Sequence, residues 1–185
     1  MTNWPKYFLI QRILHWSIAT LVVITLGIGA TLGTLGFNHA VDLFGMATTN
    51  TLYVVHKTVG VLMIGLMIVR ITARLALGKP AYAVALAPVQ KFASETVHGL
   101  FYALLIIMPL IGWAATDAGG YPINFFHWVL PSIVEKDSGF AEVLFQWHAI
   151  IGWLLMGLVL VHISGALYHW LIRRDGVMQR MWPGA

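Results

Sequence analysis

The chain alternates four long apolar stretches with shorter polar ones. Residues 13–33, 51–75, 92–115 and 146–172 run almost without charge. Each is long enough, at ~1.5 Å per residue, to cross a hydrocarbon core of about 30 Å as a helix. Residues 33–50 carry Gly, Asn, Asp and Thr and predict a loop. Residues 76–91 contain Gly78, Pro80 and Pro88 and cannot form one helix. Residues 116–145 form the longest connection, with Gly119-Gly120, Pro122, Pro131 and the aromatics Tyr121, Phe125, Phe126, Trp128 and Phe140. Part of it is expected to lie as a short helix in a membrane interface, where such aromatics are favoured. Pro109 falls inside the third stretch, where neighbouring helices can cover the carbonyl it frees. The first stretch has basic flanks and small residues at Gly27 and Ala30, yet it exceeds the 7–15 residues of a signal-peptide core. A retained helix is therefore expected. The pattern predicts an all-α membrane protein, a single domain over residues 1–185 built as a four-transmembrane-helix bundle.

Composition agrees. The 185 residues are 59% hydrophobic and 10% charged, with mean hydropathy +0.80, against about 45–50% and about 25% in soluble domains. No cysteine is present, which excludes disulfides, thiolate chemistry, cysteine-ligated clusters and covalently attached haem. No nucleic-acid partner is expected; membrane lipid is the surrounding medium.

Four spans put both termini on one side. That side collects Lys6, Arg12, Arg70, Arg74, Lys79, Lys91, Arg173, Arg174 and Arg180, leaving only Lys57 and Lys136 for the other. The bias predicts cytoplasmic termini. Asp42, Asp117, Glu135, Asp137 and Glu142 fall outside.

Histidine placement carries the chemistry. His148 and His162, fourteen residues apart, share one face of the fourth helix and stand roughly 21 Å apart along it. His169 lies two turns further on. His15 opens the first helix on the inner side, His56 the second on the outer side, and His98 the third on the inner side. Matched by depth, His56 pairs with His148 outside and His15 with His162 inside. Imidazole in lipid is costly without a partner or a ligand. Zinc or copper needs three or four clustered ligands, whereas depth separates these histidines into twos. Two haems stacked across the membrane, each held by two axial nitrogens, fit better. Iron ligated on both faces has no open position, so electron transfer is expected rather than oxygenation. Gly60, Gly152 and Gly165 flank the ligands and either let a porphyrin approach the backbone or permit close helix packing. His39 and His127 read as surface residues.

The motifs Leu14-His15-Trp16, His56 with Gly60, Arg70 and Arg74, His98 through Pro109 to Gly112, and the His148, His162, His169 series run nearly end to end. Together they resemble the bacterial cytochrome b561 family, small four-helix dihaem proteins of the inner membrane. The resemblance implies two b haems, ligated by His15 and His162 inside and by His56 and His148 outside, with ubiquinone as redox partner. Related cytochrome b subunits of hydrogenases and formate dehydrogenases are expected to share this layout, so the scaffold does not fix the partner.

His98 and His169 remain beside the inner haem. Either they pass protons to a quinone head group or they hydrogen-bond propionates or each other. Arg70 and Arg74 meet propionates or quinone, or anchor the helix in head groups. Lys57 meets an outer propionate or extends its ammonium to water. Two activities follow from the resemblance. One is a superoxide oxidase that carries electrons from periplasmic superoxide to ubiquinone. The other is an electron-transfer subunit linking quinone to a partner dehydrogenase or a periplasmic redox protein. Five outer acids against two lysines count against steering of an anion. A small transporter or structural bundle without haem would leave four intramembrane histidines unexplained.

Overall fold

The computed structural model describes residues 5–82, 84–126 and 128–182. Four helices long and apolar enough to cross a membrane make the fold: α1 Leu9–Phe44, α2 Met46–Leu77, α3 Pro88–Ala118 and α4 Ser138–Leu167. α4 continues through one π-helical turn, Tyr168–Arg173. The architecture is an all-α transmembrane bundle. α1 packs on α2, α2 on α3, α3 on α4 and α4 on α1, so α2 and α4 face each other across the centre. The core is narrow: Ile18 and Val22 of α1, Met63 and Met67 of α2, Leu105 of α3 and Leu155 of α4. Large apolar side chains elsewhere point outward, Leu75 and Leu160 among them. That is the inverse of a soluble bundle and suits lipid as solvent.

The helices are longer than the hydropathy pattern predicts. The expected loop at 33–50 is helical, with breaks only at Gly36 (φ 69°) and Gly45 (φ 79°). Its Asn and Asp are weak helix breakers and it contains no proline, so the backbone donors stay available and glycine alone supplies the left-handed conformation. α3 begins at Pro88, in the first helical position that suits a residue without an N–H. α4 begins at Ser138, capped by Asp137, whose Oδ1 accepts the Phe140 amide at 3.0 Å. The capping signal lies well before the apolar run, which is why the pattern starts the helix late.

The expected interfacial helix in the long connection is instead a two-stranded hairpin, β1 Asn124–Phe125 and β2 Trp128–Val129. Glycine and proline on both sides leave too few residues for a stable helical nucleus. At the opposite end of the bundle the final residues fold back over α1. Arg180 stacks on Tyr7 and Tyr82 at 5.4 and 4.5 Å and donates to the Pro80 carbonyl. The Tyr7 amide, Arg12 and the Trp16 indole donate to the carbonyls of Arg180, Trp182 and Met181. Gln11 is buried and bridges the start of α1 to Gly78, just past α2.

Candidate functional site

Two layers of side chains cross the bundle interior. In the first, His56 of α2 and His148 of α4 reach toward each other from opposite helices, ring centres 5.9 Å apart and planes at 75°. In the second, His15 of α1 and His162 of α4 stand 6.1 Å apart at 70°. Neither pair is in hydrogen-bond contact. Two metal–nitrogen bonds of ~2 Å, plus the offset from nitrogen to ring centre, require centres ~6 Å apart. Both pairs meet that spacing, and both leave the metal's remaining positions to a ligand lying between the rings. Among the described residues no group of three or more His, Asp or Glu is gathered as a metal cage.

The remaining helices complete each layer. A Cβ on Gly29 would lie 2.9 Å from the His56 ring, and one on Gly112 would lie 2.8 Å from the His148 ring. The two glycines thus create the recesses in which the imidazoles sit. A narrow cavity between the rings is lined by apolar groups from all four helices, including Val22, Leu26, Met63, Leu105, Pro109 and Leu155. His148 Nδ1 donates to the Met108 carbonyl at 3.1 Å, which leaves Nε2 with its lone pair toward the interior. His56 Nδ1 is buried without a hydrogen-bond partner. A dry cradle and two facing imidazoles, one aligned by its own hydrogen bond, fit a flat apolar metal macrocycle.

The second layer is polar. Arg70 of α2 donates to His15 Nδ1 at 3.1 Å. His98 of α3 sits 5.2 Å from His162, with Phe101 at 5.5 Å. Its Nδ1 donates to the Ser94 carbonyl at 2.6 Å. The 5.2 Å separation is too short for a metal held between the two rings on opposite sides at ~2 Å each, so His98 is a neighbour of the pair and not an alternative to His15 as a facing ligand.

The other candidate residues are not gathered here. His169 lies in the π-helical turn and donates to the buried carboxylate of Asp175 at 2.7 Å. Its described contacts do not reach His98 or His162. Arg74 stacks on Tyr7 and reaches the Gly78 carbonyl, away from Arg70's partner. Lys57 donates to the Pro122 carbonyl at 3.1 Å. His39 is exposed and bonds its own helix; His127 lies outside the described residues. The flanking glycines play a lesser part than expected. Gly60 faces Pro109 and Gly152 faces Met108 at ordinary contact distance, and Gly165 faces open space.

Gly29 escapes attention as a sequence feature and Gly112 enters only as the end of a motif, yet a signal for both as recess-makers exists. His15 to Gly29, His56 to Arg70, His98 to Gly112 and His148 to His162 are all fourteen residues apart. Each helix therefore presents one residue to each layer from a single face.

Comparison with known proteins now bears on this geometry. The family model for prokaryotic cytochrome b561 matches residues 6–184. "Cytochrome b561 homolog 2" of Escherichia coli K12 is 26% identical, with 97% of this chain and 93% of that protein aligned. "Probable superoxide oxidase CybB" of Yersinia pestis is 23% identical over 96% of each chain. "Cytochrome b562" of Cereibacter sphaeroides is 28% identical over 98% of each.

Proposed function

The chain belongs to the prokaryotic cytochrome b561 family, a bacterial membrane family of haem b electron-transfer proteins, and from that premise we propose that it carries electrons between the outer face and ubiquinone through two b haems. The observation that carries this reading is the pair of cross-bundle imidazole couples at 5.9 and 6.1 Å. His56 with His148, and His15 with His162, are the proposed axial ligands. Haem bound there supplies one-electron chemistry.

The chain's own residues divide the remaining work. Gly29 and Gly112 hold space for the outer imidazoles. Met108 fixes the tautomer of His148. Ligation of His15 through Nε2 would put its proton on Nδ1 and end that atom's acceptance from Arg70, which would leave the guanidinium available to a nearby anionic group. His98 is placed to deliver protons to a quinone head group beside the inner layer. His169, held by Asp175, is kept from that role in this arrangement. Lys arrangement and the basic bias along the chain support cytoplasmic termini, with the His56 layer periplasmic.

The proposed overall reaction is superoxide:ubiquinone oxidoreduction. Two superoxide anions each give up one electron and become dioxygen, and ubiquinone takes two electrons and two protons to become ubiquinol. The relative named a probable superoxide oxidase supports this direction. The alternative is an electron-transfer subunit serving a periplasmic redox protein. The five acids gathered at the outer end of the chain's helices and their connection favour it, since they oppose an anion's approach. A superoxide pulse on the purified holoprotein with ubiquinone separates the two. Fast reduction of the α band and quinol formation, both abolished by superoxide dismutase, are expected. No reduction by superoxide alongside normal reduction by quinol would sink the oxidase reading and favour the subunit.

A further inference from the structure

The hairpin between α3 and α4 lies lower on the bundle than a connecting loop needs to. Gly60 of α2 and Pro109 of α3 are level, since a Cβ on the glycine would meet Pro109 Cβ at 3.9 Å. From Pro109 to the end of α3 at Ala118 the helix climbs about 13 Å. Yet the Asn124 carbonyl of β1 accepts the Thr58 hydroxyl at 3.2 Å, and Thr58 stands only about 3 Å above Gly60. After leaving α3 the chain therefore descends roughly 10 Å along α2 before it returns to α4. The start of the hairpin, at Asn124, therefore lies near the level of His56 and Thr58.

We propose that this hairpin is a re-entrant element whose aromatic tip is immersed in the lipid leaflet at the His56 end. Three observations carry the assignment. Phe126, Trp128 and Val129 are 71%, 72% and 68% exposed, and the adjacent turn of α2 likewise exposes the apolar Val54 and Val55. Backbone carbonyls in the hairpin are taken by α2 side chains: Thr58 on Asn124 and the Lys57 ammonium on Pro122. Leu130 N–H donates to the Ile123 carbonyl at 2.9 Å. Non-helical backbone at membrane depth is tolerated where protein groups satisfy it in this way. Phe126 also holds φ at 54°, a left-handed conformation that favours glycine or asparagine and strains a bulky residue. Turn geometry therefore does not account for an aromatic residue at this position. The occupant this surface fits is the boundary between lipid head groups and acyl chains, where Trp and Phe are favoured.

The absence of cysteine makes the test direct. Single variants Phe126→Cys, Val23→Cys on the exposed face of α1 and Glu135→Cys are nitroxide-labelled. The holoproteins are placed in phosphatidylethanolamine–phosphatidylglycerol vesicles, each variant keeping the parent's helical and haem spectra. Collision with oxygen and with a water-soluble nickel chelate is then measured. At position 126 the label is expected to collide with oxygen as at position 23 and to be shielded from nickel. Nickel access at 126 equal to that at 135 places the hairpin in water and overturns the proposal. Shielding from both reagents means that protein covers the tip, and overturns it equally. A second label at Trp128→Cys guards against a local effect of relieving the strained Phe126 backbone and is expected to behave like position 126.

Discussion

The two layers are built from the same register on four helices and differ in what the register carries. At the His56 end the sequence of contributions is Gly29, His56, Gly112 and His148; at the other end it is His15, Arg70, His98 and His162. Where one layer has glycine, the other has imidazole, and where one has its α2 histidine, the other has arginine. The first is a dry recess that can fix a flat group and little else. The second adds a permanent cation and a third imidazole, the groups needed to hold an anion and to move protons. Under the proposed function, electrons would enter at the apolar layer and leave with protons at the polar one.

The largest effects should come from the recesses. Gly112→Leu puts a side chain where the His148 ring lies, and should abolish the outer haem while the inner one persists. Haem content should fall to about half, and only one set of α-band features should remain, because a lost ligand orientation costs a metal site heavily. His162→Ala should do the reverse. If either variant kept both low-spin spectra unchanged, the pairing would be wrong. Next, His98→Ala should leave both haem spectra in place and slow quinol formation by ~10²-fold, the usual size of a lost general acid. Stopped-flow mixing with superoxide and quinone reads this directly, with haem reduction itself unaffected. A smaller effect is expected of Arg70→Gln. Removing a cation beside one haem disfavours its reduced form and should lower that potential by roughly 60 mV, equivalent to about 1.4 kcal/mol. Redox titration should show the outer haem unmoved. The smallest belongs to Gly165→Ala, off both layers and facing open space. It should leave haem content intact and change stability by at most about 1 kcal/mol in the helix's favour, as thermal unfolding will show.

Much of this was legible before any coordinates. Four apolar runs set the number of spans, and His148 and His162 announce the spacing between layers. Gly29 and Gly112 were harder to see because a glycine in a membrane helix has a commoner use in helix contact. Only the position of the facing ring distinguishes them from Gly60 and Gly165. His169 misled for a related reason. Its spacing from His162 continues a helical face, but the chain passes into a π-helical turn there, and the buried Asp175 six residues on captures the ring. The helix ends were underestimated wherever hydropathy faded before the backbone hydrogen bonds did, at 34–44 and again at 138–145. The hairpin was hidden because its hydrogen bonds run to Lys57 and Thr58, which lie far away in sequence.

One helix, α4, gives an imidazole to each layer, while α1 and α2 give one apiece. During synthesis α4 leaves the ribosome after α1, α2 and α3. Until it enters the membrane, His15 and His56 have no counterpart at either depth, and a truncated or stalled chain holds no complete pair. If the two couples are the haem ligands as proposed, cofactor capture would wait for α4, and a chain stalled before it would stay redox-silent.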